Sequence, residues 1–267
     1  MFRILFWNMG RKGDTAALSN LCREHKVDVA VLAEFSVDQL QTEAAISSAS
    51  SVPYGEHVVA DSLVRFFVRA GTSLQLSIDE DRASIRRCTT KAGTEILIAG
   101  VHLPSKLWSG QADQHHAAKL LRLAIEQAEV NSGHRKTVII GDLNMNPFDL
   151  GMVAADGLHG VMDRSTALRE QRIYQGVEYR LFYNPMWSFL GDLSSGPTGT
   201  YYRSDASLVS HFWHTVDQML IRPALIPHFP ENGITVLTTA GAKSLLRNGK
   251  IDKVISDHLP ILVTLNI

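Results

Sequence analysis

Several apolar runs in this chain stop on side chains able to do chemistry, and that pattern limits the fold more than any other feature. Phe2 to Trp7 stops at Asn8, Val27 to Leu32 leads through Ala33 to Glu34, and Ile96 to Val101 stops at His102. Val138-Ile139-Ile140 leads into Gly141-Asp142-Leu143-Asn144, and Ile261-Leu262-Val263 follows Ser256-Asp257-His258-Leu259-Pro260. Short apolar runs bounded by turn residues read as buried strands. A rigid sheet whose strands end in carboxylate, amide and imidazole groups presents them together at its rim.

Between these runs the pattern alternates with helices. Residues 2–8 read as a strand, Gly10 and Gly13 break it into a loop holding Arg11 and Lys12, and 14–26 reads as a helix capped by Asp14. With the strand at 27–32 this is a βαβ-like opening, which points to mixed α/β architecture. A helix is expected over 37–50, short strands over 56–60, 63–69, 73–79 and 83–88, and a buried strand over 95–102. A long amphipathic helix follows at 111–130, then a strand at 137–140, a turn at Asn146-Pro147 and a helical start at 148–155. Residues 184–213 are rich in Gly, Ser, Pro and aromatics and suit a surface loop that shapes a pocket. Strands at 216–221, carrying Asp217, and 261–267 complete the reading.

At 267 residues and 45% hydrophobic content, the chain suits a single domain over 1–267 better than two. Lys and Arg number 26 against 27 Asp and Glu, so net charge announces no polyanion partner, although a local basic patch is compatible with that balance. Cys22 and Cys88 lack metal-type spacing and read as free buried thiols in a reducing compartment. No 18-residue apolar stretch exists, and the N-terminal apolar run is too short for a signal peptide. The expectation is a soluble, cytoplasmic protein with no membrane span and no obligate protein partner.

Asn8, Glu34, His102, Asp142, Asn144, Asp217, Asp257 and His258 all lie at ends of apolar strands. Any one alone reads as a cap or turn residue; together they are hard oxygen ligands plus imidazole, a mixture suited to Mg²⁺ or Mn²⁺ rather than zinc. His115-His116, adjacent rather than four apart, form no zinc set. Phosphodiester hydrolysis needs the anion neutralised, a water aimed in line, and the leaving oxygen stabilised. Glu34 has no basic neighbour in sequence and is the first choice as metal ligand.

The order of the motifs resembles the endonuclease/exonuclease/phosphatase superfamily. The matching pieces are Trp7-Asn8, Ala33-Glu34, Val101-His102-Leu103, Gly141-Asp142-Leu143-Asn144, Val216-Asp217-Gln218 and Ser256-Asp257-His258-Leu259-Pro260, which span nearly the whole chain. The resemblance implies an α+β class fold, a four-layer αββα sandwich of two mixed β-sheets flanked by helices, with the active site at one end. It implies that Glu34 holds the ion with help from Asn8, and that Asp257 ligates a metal or anchors His258. It implies that His258 is the catalytic histidine, oriented by Asp217, while Asp142 aligns or deprotonates the attacking water. Asn144 would donate to a phosphoryl oxygen, and His102 would be a phosphate donor or leaving-group acid. One departure is Gly10, where some relatives carry an additional acidic ligand.

Arg11, Ser105 and Lys106 follow Asn8 and His102 at the expected rim and are candidates to bind non-reacting phosphates. Tyr201 and Trp213 are candidates to stack on bases or wall off a small substrate. The function expected is Mg²⁺-dependent hydrolysis of phosphodiester bonds by a nuclease acting on DNA or RNA. The alternative is a phosphatase or phosphodiesterase acting on a small-molecule or lipid head-group ester. A non-catalytic binding module on the same fold is a weaker third, because the acid, amide and histidine set looks complete.

Overall fold

The computed structural model describes residues 1–60, 62–80, 82–106, 109–193, 195–204, 208 and 210–267. Its principal strands, in chain order, are β1 (Phe2–Asn8), β2 (Val29–Ala33), β3 (Tyr54–Glu56), β4 (Val64–Arg69), β5 (Ser73–Glu80), β6 (Ala83–Thr89), β7 (Glu95–His102) and β8 (Thr137–Asp142). They continue with β9 (Gly160–Val161), β10 (Phe182–Tyr183), β11 (Asp217–Ile221), β12 (Ile234–Val236) and β13 (Ile261–Leu265). The longer helices are α1 (Thr15–His25), α2 (Gln39–Ser50) and α3 (Gln111–Ser132).

Six strands form one sheet in the order β12-β13-β1-β2-β4-β3, and seven form the other in the order β5-β6-β7-β8-β11-β10-β9. Both are mixed. β1 runs parallel to β2 and β7 parallel to β8, each pair joined through a helix, α1 or α3, whereas β13 and β11 lie antiparallel beside them. Strands sandwiched between a second sheet and a helix are wetted on neither face, which is why these runs are continuously apolar. Ile96 and Ile98 of β7 join the core shared with the other sheet, while Leu97, Ala99 and Val101 pack with Ala118, Leu121 and Ile125 of α3. On the opposite side Leu18, Leu21 and Cys22 of α1 and Ile46 of α2 are buried with the first sheet. The result is the four-layer sandwich that the motif order implied.

Two glycines are required by close approach, one between the sheets and one between neighbouring strands. A Cβ on Gly100 would stand 2.6 Å from the Phe66 ring and 2.9 Å from Val31 of the facing sheet. A Cβ on Gly141 would stand 2.1 Å from the Val101 carbonyl oxygen, so only glycine fits beside β7 immediately before Asp142.

The ends of the long elements follow ordinary capping rules. Asp14 accepts from the Ala17 N–H at 2.9 Å at the start of α1, and Gly133 (φ 73°) closes α3 in the left-handed region. At the rim of the second sheet away from Asp142, a buried ion pair ties α3 to the end of β11. Arg222 Nε donates to Glu129 Oε1 at 2.8 Å, Nη2 to Oε2 at 3.3 Å, and Thr137 Oγ1 also donates to Oε1 at 2.7 Å. Cys22 and Cys88 are free and buried, and burial pushes both thiols up to about 12.

The main departures from the sequence reading lie in short elements. The strand expected at 56–60 is Tyr54–Glu56 instead, and Val58 is largely exposed. The segment 184–213 is not all surface loop. Pro185–Phe189 is a 3₁₀ turn that buries Met186 and Phe189, and Tyr201–Tyr202 pairs with Trp213–His214; residues 194, 205–207 and 209 of it lie outside the described residues. Ribbons of two to four residues, such as Gln171–Tyr174 with Val177–Arg180, are too short to carry a readable period. Among the described residues no helix is long and apolar enough to cross a membrane.

Candidate active site

Three neighbouring strands of the second sheet supply the first row of the site. In the ladder His102 of β7 pairs with Asp142 of β8, and Asp142 pairs with Asp217 of β11. Paired residues share a face, so an imidazole and two carboxylates stand abreast. The first sheet supplies the second row: Asn8 ends β1 beside Ala33, and Glu34 follows one residue later. The rows meet through Asn8, whose Nδ2 donates to Asp142 Oδ2 at 3.0 Å and to Glu34 Oε1 at 3.2 Å.

The orientation of that amide is fixed locally. The Gly10 N–H donates to Asn8 Oδ1 at 3.0 Å, so the oxygen is engaged and the nitrogen must face the carboxylates. Asn8 thus meets them as a donor that aligns both. Glu34 and Asn144 hold φ of 47° and 51°, a region non-glycine residues seldom adopt. Such local strain is found where a side chain must be aimed.

His258 reaches the site on a loop fastened to β1. Ser256 Oγ donates to the Asn8 carbonyl at 2.7 Å and accepts from the His258 N–H at 3.0 Å, and Trp7 Nε1 donates to the His258 carbonyl at 3.0 Å. The ring's Nδ1 lies 3.0 and 2.9 Å from the two oxygens of Asp217, which leaves Nε2 facing Asp142 Oδ2 at 4.0 Å. Asp217 is itself held by Thr200, whose Oγ1 accepts from the Asp217 N–H at 3.0 Å. Burial disfavours the His258 cation, but the carboxylates of Asp217, first, and of Asp142 and Asp257 together outweigh it and hold the ring well above the usual imidazole range. Burial likewise drives the Asp142 carboxyl upward; His258 opposes that shift and Asp217 adds to it. His102, with Nε2 at 3.6 Å from Glu34 Oε1 and 3.9 Å from Asp142 Oδ2, is held below the usual range by burial, against the pull of Glu34.

A cleft of about 200 Å³ opens over this array, lined by Glu34, His102, Ser105, Lys106, Asp142, Asn144, Tyr201, Asp257 and His258 among others. Asn144 is anchored by its Nδ2 on the Leu103 carbonyl (2.9 Å) and by its N–H on Asp142 Oδ1 (2.9 Å); the second amide hydrogen remains for the cleft. The Tyr201 ring lies 4.7 Å from the His258 ring. Asp257 faces Gly10: a Cβ there would sit 2.6 Å from Asp257 Oδ1, and Gly10 holds φ 53°. An acid at position 10 would have no room, and Asp257 brings a carboxylate to the same spot.

Of the residues expected to bind substrate, two stand apart from the cleft lining. Arg11 is exposed and approaches Glu34 from outside, Nε to Oε2 at 3.3 Å, so Glu34 does have a basic partner, one the local sequence did not reveal. Trp213 packs edge-on against Tyr202 with ring centroids 5.2 Å apart and against the core. In their place the structure adds Arg203 and His214 to the lining. Arg203 belongs to no recognisable motif, and His214 stands two residues before the Val216-Asp217-Gln218 piece.

The donor chemistry suits a divalent cation. Ligand atoms of Asp142, Asp217 and His258 lie within 4.8 Å of one another. His258 and Asp217 already satisfy each other, and Asp142, Glu34 and Asp257 add further hard oxygens to the cleft lining. Several carboxylates against one strongly basic imidazole leave surplus negative charge in a half-buried cleft, which a cation would offset.

The profile of the Endonuclease/Exonuclease/phosphatase family matches residues 5–258. No curated protein matches the sequence. Among solved structures, an endonuclease/exonuclease/phosphatase family protein from Bacteroides thetaiotaomicron is similar at a TM-score of 0.58 and 14% identity, covering 99% of this chain and 97% of that one. D. rerio TDP2 complexed with single strand DNA product is similar at 0.57 and 15% identity, with 100% and 99% covered. The human nocturnin catalytic domain with bound sulfate anion is similar at 0.55 and 14%, with 99% and 94% covered. At such identities the likeness is one of fold.

Proposed function

We propose that the chain, which belongs to the endonuclease/exonuclease/phosphatase family, is a divalent-metal-dependent phosphodiesterase whose substrate is nucleic acid. The observation that carries this reading is the row His102, Asp142 and Asp217 on adjacent strands, met by Glu34 and Asn8 from the facing sheet and by His258. That row puts proton-transfer, charge-stabilising and oxygen-ligand groups around one small volume.

Glu34, with Asp257, would hold Mg²⁺ or Mn²⁺, which supplies charge neutralisation on the phosphoryl oxygens when bound. The chain's own groups do the rest. Asp142, raised by burial, is a better proton acceptor than an ordinary carboxylate and lies where it can align the attacking water. His258, cationic because Asp217 backs it, offers an Nε2–H donor to the charge that builds on the phosphoryl group. Asn144 adds its remaining N–H, and neutral His102 can donate to the phosphate or the leaving oxygen. Lys106 and Arg203 on the cleft wall, and the D. rerio relative that holds a DNA product, favour a nucleic acid over a lone small ester.

A Mg²⁺/Mn²⁺ panel with single- and double-stranded DNA, RNA and small phosphate esters, blanked with His258→Ala, tests the assignment. Turnover confined to phosphomonoesters would remove the nucleic-acid reading. Glu34→Gln is expected to raise the Mg²⁺ concentration for half-maximal rate at least about tenfold, since a neutral amide binds a hard cation less well. The same half-saturation point in both proteins would exclude Glu34 as a ligand.

A further inference from the structure

We infer that the cleft continues into a second subsite that holds the phosphate next to the one being cut, and that Lys106, Arg203 and His214 form it. The inference rests on the phosphodiesterase reading and narrows it to substrates carrying two or more phosphates.

The second sheet's rim is built in two tiers. His102, Asp142 and Asp217 form the inner tier at the strand ends. The same three loops carry an outer tier: Lys106 and Asn146 stand four residues beyond His102 and Asp142, and His214 three residues before Asp217. The outer groups are knit together. Asp149 takes Lys106 Nζ on one carboxylate oxygen, and that oxygen also accepts from the Asn146 N–H at 2.6 Å. Asn146, 3% exposed, then reaches His214 Nδ1 at 3.3 Å.

Asn146 decides which proton His214 carries. The Thr215 N–H donates to Asn146 Oδ1 at 2.9 Å, so the side-chain NH₂ is what meets His214 Nδ1. Nδ1 therefore accepts, and the ring proton sits on Nε2. Burial, then Lys106 and His211, hold the ring below the usual imidazole range, so it is neutral and keeps this tautomer. Its Nε2–H is the polar group left to the cleft that the ring lines. Tyr201 lies between His214 and His258, its ring 6.2 Å from the first and 4.7 Å from the second, so the donor is one side chain removed from the catalytic imidazole.

Charge separates along the same line. The inner tier is carboxylate-rich, whereas the outer wall lines the cleft with Lys106, Arg203 and His214, and its carboxylate, Asp149, pairs with Lys106 and is not part of that lining. An anion with no reaction to undergo is what such a wall recognises.

The test uses the thymidine dinucleotide TpT and its two forms with an added 5′ or 3′ phosphate, with bis(4-nitrophenyl) phosphate as a base-free reference. The wild-type protein is expected to prefer one phosphorylated form over TpT by about 10- to 100-fold in kcat/KM, the range for hydrogen bonds to a charged group. In His214→Phe, which keeps a ring and removes the donor, and in Arg203→Gln, that ratio should collapse toward one. His214→Gln restores an N–H and should recover part of it, which a packing role would not. Equal wild-type rates on the three dinucleotides, or an unchanged ratio in His214→Phe, overturn the subsite alone. Hydrolysis of bis(4-nitrophenyl) phosphate with none of the dinucleotides cut overturns the nucleic-acid reading and the subsite with it.

Discussion

Asp217→Asn is expected to lower phosphodiester hydrolysis by about 10³- to 10⁴-fold while the protein stays folded, the scale seen when a carboxylate that orients a catalytic imidazole is made neutral. Both Asp217 oxygens lie within 3.0 Å of His258 Nδ1, and among the described residues no other group fixes that ring nitrogen. An amide can hold the ring but cannot offset its charge. The sign on the histidine follows. Asp217 holds the His258 pKa up against burial, so the wild-type ring stays protonated through neutral pH and loses its proton only well above the ordinary range. Without that charge, burial acts against Asp142 and Asp257 alone, and the titration moves to lower pH. NMR titration of the His258 ring and single-turnover rates report the two effects independently. A titration that stays in place, together with a rate within tenfold of wild type, removes the dyad from the mechanism.

The second large effect is on stability. Glu129→Ala is expected to cost about 3–5 kcal/mol, the penalty for leaving one member of a buried ion pair without its partner. Arg222 is 2% exposed, donates to Glu129 through two nitrogens, and has the Leu181 carbonyl as its other acceptor at 3.2 Å. Glu126, the next acid on α3, is already held by Arg122 at 2.7 Å. Burial disfavours the Arg222 cation and Glu129 offsets this, so the deletion leaves the cost and removes the compensation. Replacing both residues with Met leaves no charge behind, so the double variant should be more stable than Glu129→Ala. Urea unfolding of the three proteins decides it; a single variant within 1 kcal/mol of wild type would show that water reaches the pair.

The gathering of the inner tier was legible because each residue lies at the end of a strand apolar enough to announce itself. Asp142 follows Val138-Ile139-Ile140, and His102 follows Ile96 to Val101. Strand register then does the assembly, since residues that end neighbouring strands must stand together. The outer tier was legible only in Lys106. His214 and Arg203 lie in a segment whose pairing is two residues long, too short to betray a period. Tyr201 and Trp213 show the difference. Both are aromatics of one segment and both were candidates for the substrate. Tyr201 pairs with His214 and Tyr202 with Trp213, and successive strand residues face opposite ways, so Tyr201 and His214 share the cleft side while Trp213 turns to the core. Composition cannot report that parity. The ion pair of Glu129 and Arg222, 93 residues apart in sequence, was illegible for a similar reason: each looks like an ordinary surface charge until the fold buries it.

Ser256, His258 and Trp7 fasten the loop before β13 to β1, and β13 pairs along β1 from Leu265 opposite Phe2 to Ile261 opposite Phe6. During synthesis the N-terminal segment leaves the ribosome more than 250 residues ahead of its companion. A nascent polypeptide can collapse around much of the first sheet and still lack His258 and the strand that follows it. A chain cut short before Ser256 therefore loses His258 and the strand that seats it together.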